Sequence, residues 1–317
     1  MRFKVAILCA ALAATASTGC KKKGTGGGGG GWLVGSEGMM AQVDPNGRLG
    51  AGYDLGASET LNGIACRYQA EAWVVGAGGT LLYTADGGVS WSAQDVGTTA
   101  NLRTLATQDA GPVFIAGDGV FMTAVPEFVT GKAQWTQLGD GVTSYRSVAA
   151  AQHADTVLAV SSDGGLWSYD AGVLSRRTTL AGMHAVAVSP DGETAIAVGA
   201  GLSRSLDGGK TWSPLAVDAS LQFEDVRIDD NGEAVAVGVG GIVARIDGEG
   251  RVLTQRVGTA DLRTLHIAPA DDYSGVGYAA GDGGQIWMTN DSGWTWTAGP
   301  NVGHTVLGVD EIGAGHR

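Results

Sequence analysis

The chain has 317 residues, 54 of them glycine and only 7 proline, with no Gly-X-Y period, so collagen and proline-rich disorder are excluded. Charged residues make up 16%, against roughly 25% in an average globular domain, and nine tryptophans supply material for a packed interior. Twenty basic residues against 32 acidic ones leave a net charge of -12, a poor match to a phosphate backbone, so no nucleic-acid partner is expected.

Residues 1–20 read as an export signal. Arg2 and Lys4 form a short positive region, Val5 to Ala14 is an apolar run too short to span a membrane, and small residues follow. Ser17-Thr18-Gly19-Cys20 resembles a bacterial lipobox, with serine where leucine is usual. The resemblance implies lipidation of Cys20 and an exported lipoprotein. Cleavage after Ala16 by an ordinary signal peptidase is the alternative. Lys21 in the place after the cysteine resembles lipoproteins sent to the outer membrane or cell surface. Residues 21–31, three lysines followed by a glycine run broken only by Thr25, cannot bury apolar surface and are expected to form a flexible tether. The lipid would be the only membrane attachment. Without residues 1–20 the chain carries a net charge of -14. Cys9 would leave with the signal and Cys20 would be lipidated, so Cys66, in an apolar segment, is expected to be an unpaired, inert core thiol.

From residue 32 onward one unit recurs about every forty residues. An apolar strand ends in a glycine-rich turn at Trp32-Leu33-Val34-Gly35 and at Trp73-Val74-Val75-Gly76, and five further copies begin near Val113, Val157, Ala195, Val235 and Gly277. Each is followed by further strands, the last of the Leu102-Arg103-Thr104-Leu105 type. Four strands in forty residues, seven times over, predict an all-β, seven-bladed β-propeller of four-stranded antiparallel blades across residues 32–317. With the Leu102-type strand innermost, the first blade lacks its inner strand. Val306-Leu307-Gly308-Val309-Asp310 is an extra copy that can supply it and close the ring.

Thr84 to Trp91, Ser205 to Trp212 and Thr289 to Trp296 each match S/T-x-D-x-G-x-S/T-W. The aspartates Asp86, Asp207 and Asp291 are expected to accept backbone amides across a hairpin, and Trp91, Trp212 and Trp296 to pack between blades. Asp44, Asp170 and Asp247 keep the acid in degraded copies. With these motifs the chain resembles the Asp-box (BNR-like) propellers, most of all the photosynthesis system II assembly factor type, over residues 32–312. The resemblance implies the fold and a structural role for the boxes.

Candidate chemistry is sparse. The five histidines show no metal-ligand spacing, and no cysteine pair accompanies them, so no metal or cofactor is expected. Asp229-Asp230-Asn231-Gly232 and Ser189-Pro190-Asp191-Gly192 fall at the same turn of the repeat and read as hairpins, not calcium loops. Aligning the inner strands produces one column, Asn62, Arg103, Arg146, His184, Glu224, Arg263 and Leu307, near one mouth of the axial channel. Arg103, Arg146 and Arg263, with His184 as auxiliary donor, are the candidate binding residues for carboxylates of a protein or acidic glycan. The alternative is that each arginine head pairs with a local acid. The expectation is a noncatalytic, monomeric envelope scaffold that binds a partner on one face. A sialidase-like or other glycosidase is the competing reading, although the Arg-Ile-Pro motif of sialidases is missing.

Overall fold

A computed structural model describes residues 30–50, 59–67, 70–109, 111–127, 130–268 and 275–311. Cys20, the signal, nearly all of the tether and His316 lie outside the described residues. The molecule is a seven-bladed β-propeller. Six sheets have four strands and one has three among the described residues. Blades 2 to 7 have inner strands Leu61–Arg67, Leu102–Thr107, Tyr145–Ala150, Met183–Val188, Phe223–Ile228 and Leu262–Ile267. Blade 1 is assembled from both ends of the chain. Val306–Glu311 is its inner strand, paired antiparallel with Gly31–Gly35, which pairs in turn with Met40–Val43. The closure expected from the phase of the repeat is therefore present, and the first strand opens at Gly31, one residue ahead of the expected start.

Second strands are buried on both sides because each lies between two neighbouring blades. Trp73 and Val75 face blade 3 with Val113 and Ile115, whereas Val74 faces blade 1 with Trp32 and Val34. The two-residue period thus sends alternate side chains to opposite interfaces, and the strand reads as an unbroken apolar run. Seven apolar clusters fill the seven interfaces, one each.

The glycine ending most second strands has a steric cause. A Cβ at Gly117 would lie 2.1 Å from the Asn101 carbonyl oxygen, and one at Gly199 would lie 2.0 Å from that of Gly182. The same carbonyls accept the N–H of Asp118 and of Ala200, both at 2.9 Å, so the chain before each inner strand is pinned to the end of its neighbour. Channel-facing amides of several inner strands find partners one blade away. Thr264 Oγ1 accepts from Val309 N–H at 3.2 Å, Ser147 Oγ from Val186 N–H at 3.2 Å, and Asp225 Oδ2 from Leu265 N–H at 3.0 Å. Edge groups that would otherwise be open are satisfied within the ring.

The three S/T-x-D-x-G turns share one hydrogen-bond pattern. Thr84, Ser205 and Thr289 hydroxyls donate to Asp86, Asp207 and Asp291 at 2.7–2.8 Å and accept the N–H of Gly88, Gly209 and Gly293. Each carboxylate also takes the backbone N–H and hydroxyl of Ser90, Thr211 or Thr295. These bonds, the Thr211 hydroxyl first, hold the Asp207 carboxyl down at about 2. Trp91, Trp212 and Trp296 pack at blade interfaces, Trp91 edge-on to Trp32 at 5.6 Å. Among the degraded copies, Asp44 and Asp247 cap amides two and four residues on. Asp170 departs from the expectation. It ends its strand at the two-residue turn Ala171-Gly172, both at positive φ, and its carboxylate caps nothing among the described residues. A two-residue hairpin leaves no amides for it to reach.

Candidate binding site at the channel mouth

The aligned column becomes a ring. Asn62, Arg103, Arg146, His184, Glu224, Arg263 and Leu307 all line one axial cavity of about 380 Å3. Their shared position has a local cause that the sequence did not disclose: every one is a β-bulge residue. Leu102 pairs with Gly117 and Thr104 with Ala116, so Arg103 has no partner opposite. The same skip leaves out Asn62, Arg146, His184, Glu224, Arg263 and Leu307. A bulge frees a residue from the ladder and re-aims its side chain, here toward the mouth. The signal that could have disclosed it is the strand-ending glycine, whose close approach to the preceding carbonyl sits beside every skip except that of Arg146, where the strand ends in Ser161.

The ring is not uniformly basic. Arg103 makes a forked pair with Asp118, Nε to Oδ1 at 2.7 Å and Nη2 to Oδ2 at 3.1 Å. Arg263 is surrounded by acids: Asp282 at 2.8 Å, Asp261 at 3.3 Å and Glu224 at 3.6 Å. The Asp282 hydrogen bonds, opposed by partial burial and helped by the other acids, push its guanidinium above the ordinary value. His184 Nδ1 is buried without a hydrogen bond and stands 3.9 Å from Glu224 Oε2. Asn62 donates to Asn101 Oδ1 and Leu102 O, 2.9 and 2.7 Å away. Arg146 differs from the other two arginines: it is exposed and has no ion pair or hydrogen bond among the described residues. Its neighbourhood is held still, because Asp140 Oδ1 accepts the N–H of Val142 and of Thr143 at 2.9 and 2.7 Å.

A second cluster, not foreseen from the sequence, lies at the other end of the channel. His266 of blade 7 meets Asp310 of blade 1 at 2.8 Å through Nδ1, and its Nε2 lies 3.4 Å from Glu311. Asp310 Oδ2 accepts Cys66 N–H of blade 2 at 2.7 Å. Three blades meet there around the closing strand. Burial alone would lower the imidazole, but the hydrogen bond it donates to Asp310 and the nearby Asp310 and Glu311 charges outweigh it and raise His266 to about 9. Burial first, then the Asp310 and Glu311 charges, push the Cys66 thiol well above its ordinary range, which suits a structural thiol rather than a nucleophile. Among the described residues no group of three His, Cys, Asp or Glu is placed to hold a metal ion.

Fold and channel together define a closed seven-bladed propeller with a polar, bulge-built mouth. No family model and no curated protein matches the sequence. Among solved structures, the chain is similar to YCF48 bound to D1 peptide, at 20% identity over 76% of this chain and 82% of that one, with a TM-score of 0.55. It is also similar to YCF48 from Cyanidioschyzon merolae, at 16% identity over 78% and 87% of the two chains, TM-score 0.58. A virginiamycin B lyase from Staphylococcus aureus aligns at 12% identity over 76% and 84%, TM-score 0.62. At these identities the likeness carries the fold, which binding proteins and an enzyme share.

Proposed function

We propose that this protein is an exported, lipid-anchored, noncatalytic propeller that holds an acidic segment of a protein partner at the bulge-built mouth. Arg146 carries the reading. It is an exposed guanidinium at the rim of a cavity of about 380 Å3 with no acid of its own among the described residues, in a chain of net charge -12. A guanidinium offers forked hydrogen bonds that fit a carboxylate. The peptide carried by the structurally similar YCF48 supports a peptide ligand over a glycan. Arg103 and Arg263 must exchange Asp118 and Asp282 for the ligand, so their net contribution is smaller. An octaglutamate peptide and an oligogalacturonate are the probes. Arg146→Ala is expected to weaken peptide binding by about 1–3 kcal/mol, and Arg103→Ala by less. Equal binding by Arg146→Ala places the site elsewhere, and binding of the oligogalacturonate alone makes the partner a glycan. The anchor is tested by Cys20→Ala, which should release the protein from the membrane fraction.

A glycosidase reading has one observation in its favour. Asp229 lines the channel, and burial raises its carboxyl, the direction a general acid needs. Turnover of a chromogenic glycoside lost in Asp229→Asn would replace the binding reading.

A further inference from the structure

The face opposite the arginine mouth carries an unassigned pattern. Among the described residues, blades 2 to 7 each have one large apolar side chain exposed in the connection from the third strand to the fourth or within two residues of it, and blade 1, with three described strands, has one after its third strand. Val89, Val125 and Leu206, of blades 2, 3 and 5, are 81%, 68% and 67% exposed. Leu49, Val173, Leu253 and Trp294 occupy the corresponding places in blades 1, 4, 6 and 7. Only two other large apolar side chains are exposed among the described residues, Val142 and Val239, and both lie on the mouth face. Because strands alternate in direction, all third-to-fourth connections lie at the end where the inner strands finish.

We propose that this crown of seven side chains seats the propeller on a lipid surface. Four observations select a lipid occupant. The chain enters on this side: Gly31 pairs with Val43 and Glu311, at the crown end of blade 1. Cys20 is ten residues before Gly30, a span of at most about 35 Å, so an anchor there keeps this face near the bilayer. Next, the seven side chains are spread singly around a perimeter, and among the described residues the centre of the face holds Asp229, Asp230 and Asp310 instead of an apolar anchor. A protein partner buries a compact central cluster, whereas a fluid plane can receive seven separate side chains at once. Lastly, Asp86, Asp207 and Asp291 spend both carboxylate oxygens inside their turns, and Trp294, stacked on Arg245 at 4.2 Å, is a residue type suited to the headgroup level. The net negative charge disfavours attraction to anionic headgroups, so the contact is apolar insertion into neutral lipid and changes little with salt. The proposal rests on the lipid-anchor reading for the direction of approach, and it places the arginine mouth away from the membrane.

The test uses a chain starting at Lys21, which contains every described strand and lacks Cys20. Co-sedimentation with phosphatidylcholine vesicles should show binding that falls at least about tenfold in Val89→Asn, Val125→Asn, Leu206→Asn, with an unchanged melting curve. Val142→Asn, equally exposed at 80% on the mouth face, should bind like the unsubstituted chain. No binding by the unsubstituted chain, an unchanged triple variant, or an equal loss in Val142→Asn overturns the proposal. Self-association without vesicles that the triple variant abolishes also overturns it, by assigning the crown to a second copy. Since Cys20 is absent throughout, these outcomes are independent of whether Cys20→Ala releases the full chain from membranes.

Discussion

On the mouth face, the connections between second and third strands are short, and some of their tips are open. Gly78 and Gly283 in these connections, and Gly141 in the link from blade 3 to blade 4 on the same face, sit at positive φ with nothing within 4 Å of where a Cβ would stand. On the crown face, the glycines of the S/T-x-D-x-G turns are wedged against the preceding blade. A Cβ at Gly88 would meet the Trp32 ring at 2.1 Å, and one at Gly209 would meet Leu158 at 2.8 Å. The same repeat thus packs both faces but by different contacts. The crown turns press on side chains of the preceding blade with their acids turned inward. The mouth turns press on backbone carbonyls, as a Cβ at Gly79 would on Thr98 O at 2.0 Å, and leave some tips open on the face where Arg146 has no ion pair among the described residues. The difference teaches that the crown interlocks through side chains and the mouth through backbone. Recognition is free to vary at the turn tips that touch nothing.

The strongest way to break this comparison is to remove what both faces depend on. Deleting residues 303–317 takes away the inner strand of blade 1 and exposes the edges of Gly31–Gly35 and of the channel. Loss of cooperative unfolding, or aggregation in size-exclusion chromatography, is expected, and an unchanged melting curve would discard ring closure.

A glycine pair sharpens it. Gly88→Ala combines a positive φ of +85 with a collision against a buried ring, and should cost about 3–5 kcal/mol in chemical denaturation. Gly141→Ala, at φ +77 in open space, should cost about 1–2 kcal/mol. Equal costs would mean that the crown turns do not interlock through side chains.

A smaller effect should come from pH at the closure cluster. His266 is raised from 6.5 to about 9 in the folded protein, so its stabilising contribution is full below pH 6.5 and is lost as pH rises through about 9. Asp310 is lowered despite its burial, chiefly by the hydrogen bond and charge of His266 and by the Cys66 amide, so its contribution is present above 3.8 and is lost as pH falls below that. The pair therefore works best between about pH 4 and 6.5, with Glu311, Arg227 and the Cys66 thiol as the other groups in its field. Unfolding free energy should drop by up to about 3 kcal/mol between pH 6.5 and 10, and His266→Gln should flatten that slope. An unaltered slope in His266→Gln assigns the alkaline loss to other groups.

Much of the molecule was legible because it is written in short-range signals. The alternation of Trp73-Val74-Val75, the recurrence about every forty residues and the S/T-x-D-x-G turns each depend on residues within a few places of one another, and each folded as read. Asp170 misled because an aspartate before a two-residue hairpin has the same local composition as a longer capped turn. The column of ring residues was also readable, since its members share one place in the repeat.

What the sequence determined by itself is the blade, its count and the phase that leaves one inner strand for the C-terminal end to supply, because backbone pairing and apolar alternation act over neighbouring residues. The tertiary structure alone decided which charges are spent. Arg263 is neutralised by Glu224 of the adjacent blade as well as by its own Asp282, His266 finds Asp310 across the closure, and Arg146 finds no acid among the described residues. Those outcomes depend on where each bulge aims a side chain and on contacts a full repeat or more apart. Coulombic pairing is decided by distance in space, which no local pattern in the chain records.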